Sequence, residues 1–184
     1  MSYLTNPYRY AVTPSLYWIV KQDSQTITTT TETDDTLKIT YTSTPNYSSG
    51  AQFSAIAVDG EASFKLLDYG EDSANMSGLQ IGLTTLSDIG NVQMYNSVNV
   101  PVSMMFHSMT ATEFRYDNTG GGAGTSASIN DVYKFTYNTD TGAIQVFQNG
   151  VSRFTGTSSQ TGSDVYGWCT ANTTKLQQMQ ILQP

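Results

Sequence analysis

Apolar and polar residues alternate along most of the chain. In DVYKFTYNTDTGAIQVFQNGVSRFTG (131–156), Tyr133, Phe135 and Tyr137 share one face of an extended segment, and Ile144 and Val146 share a face of the next. A period of two marks strands that bury one face. Asp140-Thr141-Gly142 separates these segments, and Asn149-Gly150 separates the second from VSRFTG. Asn-Gly signals a type I′ hairpin, because both central residues need positive φ.

Similar stretches recur upstream. They are SLYWIV (15–20), QTITTTTETDD (25–35), TLKITYTS (36–43), AQFSAIAVDG (51–60) and SFKLLDYG (63–70). GLQIGLTT (78–85), NVQMYN (91–96), VPVSMMFHSM (100–109) and TEFRYDN (112–118) follow, and KLQQMQIL (175–182) is the last. The Thr-rich second stretch reads as an edge strand or loop. About a dozen short strands with frequent turn signals, and no amphipathic helix, predict an all-β antiparallel sandwich. TGGGAGTSAS (119–128) predicts a flexible loop.

Residues 1–14, MSYLTNPYRYAVTP, lack alternation and carry Pro7 and Pro14. They predict an extended N-terminal arm, or tether, ahead of a sandwich domain spanning 15–184. Tyr3, Tyr8, Arg9 and Tyr10 are candidate anchors for docking the arm on a partner, since Tyr and Arg dominate interface energetics.

Composition sharpens this picture. A chain of 184 residues suits one domain. Charged residues make up only 12%, about half the usual share, while Ser and Thr fill about a quarter of the chain. The exterior is therefore polar but largely uncharged. A net charge of −7 opposes binding to nucleic acid and to anionic membranes. No leader pattern opens the sequence, and no apolar run approaches the roughly 18 residues needed to span a bilayer. Cys169 is the single cysteine, so no intrachain disulfide forms. Beside Trp168 it reads as a small core residue.

The segment from Asp131 to Thr157 resembles the back half of concanavalin A-like jelly-roll domains, the superfamily of lectins, glucanases, laminin G-like and SPRY-like modules. The resemblance is carried by Tyr137-Asn138, Gly142, Ile144–Phe147 and Asn149-Gly150-Val151. SGLQIGLTT and KLQQMQIL resemble an earlier strand and the closing strand of such modules. It implies a jelly-roll β-sandwich over residues 15–184 and says little of ligand. The arm joined to one such module also resembles small structural proteins of phages and other viruses.

Candidate chemistry is sparse. Glycosidases of the resembled fold use a Glu-x-Asp-x-x-Glu run, which places acids on one strand face. No such run exists among Glu32, Glu61, Glu71 and Glu113. His107 is the only histidine, without a Gly-x-Ser-x-Gly elbow or a second imidazole for zinc. The Gly-rich stretch lacks the Gly-Lys-Ser/Thr ending of a phosphate loop. Asp68, Glu71, Asp72 and Asn75 offer oxygen ligands for calcium, without the spacing of a known calcium loop. Tyr95, Tyr116, Tyr166 and Trp168 are candidate glycan contacts, since sugars need aromatic platforms beside neutral hydrogen-bonding groups.

The expected function is thus non-enzymatic: a structural or appendage protein at the surface of a virus or phage particle, docked through its arm, with attachment to a host surface. Its partners would be copies of itself, other particle subunits and cell-surface glycans. The alternative is an extracellular carbohydrate-binding or adhesion module, and the third reading is a glycoside hydrolase. No cofactor is expected, calcium being the one candidate.

Overall fold

The alternating segments become fourteen strands in this computed structural model, which describes residues 18–21, 27–33, 36–41, 50–56, 60–68, 79–85, 100–106, 110–117, 119–162, 164–171 and 177–182. In chain order they are β1 (Trp18–Lys21), β2 (Ile27–Thr33), β3 (Thr36–Tyr41), β4 (Gly50–Ile56) and β5 (Glu61–Asp68). Then come β6 (Leu79–Thr84), β7 (Val102–Phe106), β8 (Thr112–Tyr116), β9 (Thr119–Ala123) and β10 (Val132–Tyr137). β11 (Ala143–Gln148), β12 (Val151–Thr157), β13 (Tyr166–Ala171) and β14 (Gln177–Leu182) complete the set. Among the described residues there is no α-helix, and so none long and apolar enough to cross a membrane.

Two seven-stranded sheets result. The first has the order β1-β4-β13-β6-β7-β8-β9, the second β12-β11-β10-β5-β14-β3-β2, and every pairing is antiparallel. Their inner faces make the core. Leu79, Ile81 and Leu83 of β6, Val102, Met104 and Phe106 of β7, Phe114 of β8 and Cys169 of β13 come from the first sheet. Ala62, Phe64 and Leu66 of β5, Tyr133, Phe135 and Tyr137 of β10, and Ile144 and Val146 of β11 come from the second. Phe64 and Phe135 stack at 5.4 Å within the second sheet, and Phe106 meets Tyr133 edge-on at 5.6 Å across the sandwich. Burying each such large side chain contributes about 1.5–3 kcal/mol.

The hairpins are as the turn chemistry predicts. Asn149 has φ 51° and Gly150 φ 77°, the two positive values of a type I′ turn. Gly142 has φ 71° and closes the turn before β11. The Thr-rich stretch holds β2, an edge strand of the second sheet.

One expectation needs correction, and one strand was not foreseen. The Gly-rich stretch is not a flexible loop. Its first half is β9, paired with β8, and its second half is tied down where Thr112 Oγ1 donates to Thr125 O at 2.6 Å. Gly121 is there for close approach: a Cβ would meet the Phe154 ring at 2.9 Å and Phe114 O at 3.0 Å. Strand β13 had no sequence signal. It sits centrally with both Trp168 and Cys169 buried, so no apolar–polar alternation marks it. The expected strand at 91–96 and the arm lie outside the described residues.

The turn gives a direct test. Asn149→Pro forbids the positive φ and removes two side-chain bonds, so it should cost about 3 kcal/mol or more. Thermal unfolding should show a clearly lowered Tm. An unchanged Tm would mean that this turn does not set the register.

Candidate functional site

Register builds the site. Because β5, β10, β11 and β12 alternate, the residues between the core positions face outward on the second sheet. Glu61, Thr136, Gln145 and Thr155 stand in one cross-strand row. Ser63, Lys134, Phe147 and Ser152 stand in the next. All eight are half-buried or exposed. Lys134 Nζ pairs with Glu61 Oε2 at 2.7 Å, and Gln145 Nε2 donates to Ser152 Oγ at 2.9 Å. Phe147 is the aromatic of this face. The sequence did not single it out, although its place between inward-facing Val146 and Gln148 marks it as outward.

An open depression of about 400 Å³ lies over the far ends of β10, β11 and β12. Thr136, Asn138, Ala143, Gln145, Thr155 and Gly156 are among its lining. Ala143 and Gly156 leave the space. Asn138 fixes the rim: its Oδ1 accepts from Thr141 N at 2.8 Å, Asp140 N at 3.1 Å and Thr141 Oγ1 at 2.9 Å.

Two carboxylates brace the sandwich. Asp117 (φ 45°), just after β8, holds the segment that follows β12: it accepts from Ser158 Oγ, from Ser159 N and from Gln160 Nε2, the last at 3.1 Å. Tyr137 donates its hydroxyl to Gln160 O. Just before β10, Asp131 Oδ2 accepts from Gln148 Nε2 at 2.7 Å, Ser128 N at 2.8 Å and Tyr133 Oη at 3.3 Å. Its Oδ1 accepts from Asn149 Nδ2 at 2.7 Å. Burial alone would raise both carboxyls, but these hydrogen bonds outweigh it and hold both below the ordinary carboxylate range. Burial, and then the charge on Asp131, pushes the Tyr133 phenol well up; burial, and then the charge on Asp117, raises that of Tyr137. Both phenols stay neutral donors.

This arrangement can hold and orient a ligand. Its groups are hydroxyls, amides, one ring and one internally neutralised ion pair. Of the glutamates in the described strands, Glu113 lies on the first sheet, and Glu61 of β5 and Glu32 of β2 lie on the second with β14 and β3 between them, so no two stand on adjacent strands as an acid pair. Among the described residues no three His, Cys, Asp or Glu side chains group as a metal site.

The sequence candidates are scattered. Tyr116 is half-buried and packs on Phe154, with ring centroids 5.9 Å apart. Tyr166 is half-buried on β13, opposite Thr84 on the first sheet. Trp168, on the same face two residues later, is fully buried and offers no exposed ring. None of the three borders the depression. Asp68 ends β5. Tyr3, Tyr8, Arg9, Tyr10, Glu71, Asp72, Asn75, Tyr95 and His107 lie outside the described residues.

Comparison with known proteins identifies the fold. The SPRY domain of human HERC1 superposes with a TM-score of 0.62 at 13% identity, over 84% of this chain and 92% of that one. The TRIM65 PSpry domain gives 0.63 at 6% identity, over 92% of each. The Neuralized NHR1 domain of Drosophila melanogaster gives 0.53 at 12% identity, over 93% of this chain and 99% of that one. The chain has the concanavalin A-like jelly-roll fold. No protein-family model matches it. No curated protein matches it.

The braces make stability depend on acid. Each carboxyl is depressed in the folded state, so its contribution is fully present above the unfolded value of about 3.9 and is lost as pH falls through the folded value. Asp131→Asn should cost about 1.5–3 kcal/mol at neutral pH. Its Tm deficit against the parent should shrink as the pH drops below that range. A deficit independent of pH would show that the charge on Asp131 is not what the four donors hold.

Proposed function

We propose that this chain is a non-catalytic recognition module, and that its ligand is a neutral, hydroxyl-rich chain such as a glycan. The observation that carries this is the row Thr136–Gln145–Thr155 beside the depression, with Phe147 one row away. Neutral amides and hydroxyls pair with sugar hydroxyls, and an exposed ring stacks on a sugar face. The charges of the two rows, Glu61 and Lys134, engage each other, so the rows beside the depression carry no net charge to favour an ionic ligand. Absence of a paired acid on this face also speaks against glycoside hydrolysis there.

The test is binding of immobilised neutral oligosaccharides by the parent and by Gln145→Ala and Phe147→Ala. Each variant should bind at least about tenfold more weakly, a loss of about 1.4 kcal/mol, with a nearly unchanged Tm. Binding that survives both substitutions would move the site off this face.

Display on a particle remains the reading that the arm's sequence supports. In it, Tyr3, Tyr8, Arg9 and Tyr10 dock the arm on another subunit, at the particle surface. Deleting residues 1–12 should then leave a folded sandwich of nearly parental Tm and abolish self-association in light scattering. A truncated chain that still assembles would place docking on the sandwich itself.

A further inference from the structure

The outer face of the first sheet is built on a different plan from that of the second. Trp168 of β13, Gly82 of β6 and Ser103 of β7 stand in one cross-strand row. They point away from the apolar core, where Cys169, Ile81 and Met104 point inward. Yet Trp168 and Ser103 are 0% exposed, and Gln80, on the same face of β6, is 1% exposed. Gln80 Nε2 donates to Ser103 Oγ at 2.8 Å, diagonally from β6 to β7. Trp168 pairs with Gly82, two residues along β6 from Gln80, so Gln80 lies diagonally between Ser103 on one neighbouring strand and Trp168 on the other.

Two polar atoms in this row have no protein partner: Gln80 Oε1 and Trp168 Nε1. One is an acceptor and the other a donor, on adjacent strands and the same face. An unpaired buried polar group is strongly disfavoured, and native proteins rarely keep two side by side. The defect is removed by one oxygen that accepts from Trp168 Nε1–H and donates to Gln80 Oε1. The Ser103 hydroxyl, which already accepts from Gln80, keeps its own hydrogen as a third contact. Two to four polar partners are what a buried water needs.

We propose that a single long-lived internal water is bound on this outer face of the first sheet, held by Trp168 Nε1, Gln80 Oε1 and Ser103 Oγ. This site is on the opposite sheet from the proposed ligand face and does not depend on it. It gives Trp168 a role as a positioning donor at the middle of the first sheet. Both anchoring atoms are closed to solvent, so the site takes water and excludes any larger hydroxyl compound.

The chain has two tryptophans, so an ¹⁵N-indole spectrum carries two signals, and Trp18→Phe identifies the one from Trp168. The expected result is a water cross-peak at the Trp168 indole N–H, with the sign of a slowly tumbling bound molecule. Glycerol added in large excess should leave that signal in place. No water cross-peak would overturn the proposal. A glycerol-induced shift would also overturn it, since the oxygen would then belong to an open polyol site. Gln80→Met should abolish the cross-peak while Trp168 emission stays that of a buried indole. Persistence of the cross-peak in a folded Gln80→Met protein would remove Gln80 from the site. The parental spectrum decides the matter even where that variant does not fold.

Discussion

The carboxylate of Asp131 sets the register on which the second sheet depends. Its four donors come from Ser128, Tyr133, Gln148 and Asn149, so one side chain ties a turn, two strands and a hairpin tip together. Asn149 answers from the other side, with its Oδ1 accepting from Val132 N at 2.9 Å. A slip of one residue along β10 would turn Tyr133, Phe135 and Tyr137 out to water and bring Lys134 and Thr136 inside. The same slip would break up the outward row of Thr136, Gln145 and Thr155. Core and candidate site are thus two consequences of one registration.

The back half of the chain was legible because its strands bury one face only. There, the period of two and the residues that tolerate positive φ, Asn149, Gly150 and Gly142, act together. Strand β13 was illegible for the opposite reason. A central strand with both faces covered shows no alternation, and Gly167 contributes no side chain to the pattern. Glycines misled at β9, where composition suggests mobility but the backbone is a paired strand holding space for Phe154. The candidate site was hidden in a similar way. Its residues are Thr, Gln and Ser, common in this chain, and only cross-strand register gathers Glu61, Thr136, Gln145 and Thr155 from four separate segments.

Aromatic residues drew attention in the sequence because sugars need aromatic platforms, yet burial decides what each can do. Trp168 is interior, and its indole N–H belongs to a polar layer rather than a platform. Tyr133 and Tyr137 spend their hydroxyls on Asp131 and Gln160 O, which is how two phenols sit in an apolar core. Phe147, half-buried, is the ring that alternation leaves on the outer face.

The rim of the sandwich explains why the outer face of the second sheet can be rigid although it ends in an edge strand. A free edge would invite pairing with another chain. Here β12 carries a bulge opposite Val146 and Phe147, with Arg153 as the extra residue, which interrupts the ladder. The bulge also lets Phe154 turn inward, where it stacks on Phe114 at 5.3 Å and leans on Tyr116. Both partners belong to β8 of the other sheet. That aromatic seam closes the two sheets on each other along one side, and Gly121 of β9 gives the ring room. Thr155 then projects outward from a strand pinned on its inner side by Phe154. The face is therefore held from beneath by core packing, and its polar groups would need little reordering to take the proposed ligand.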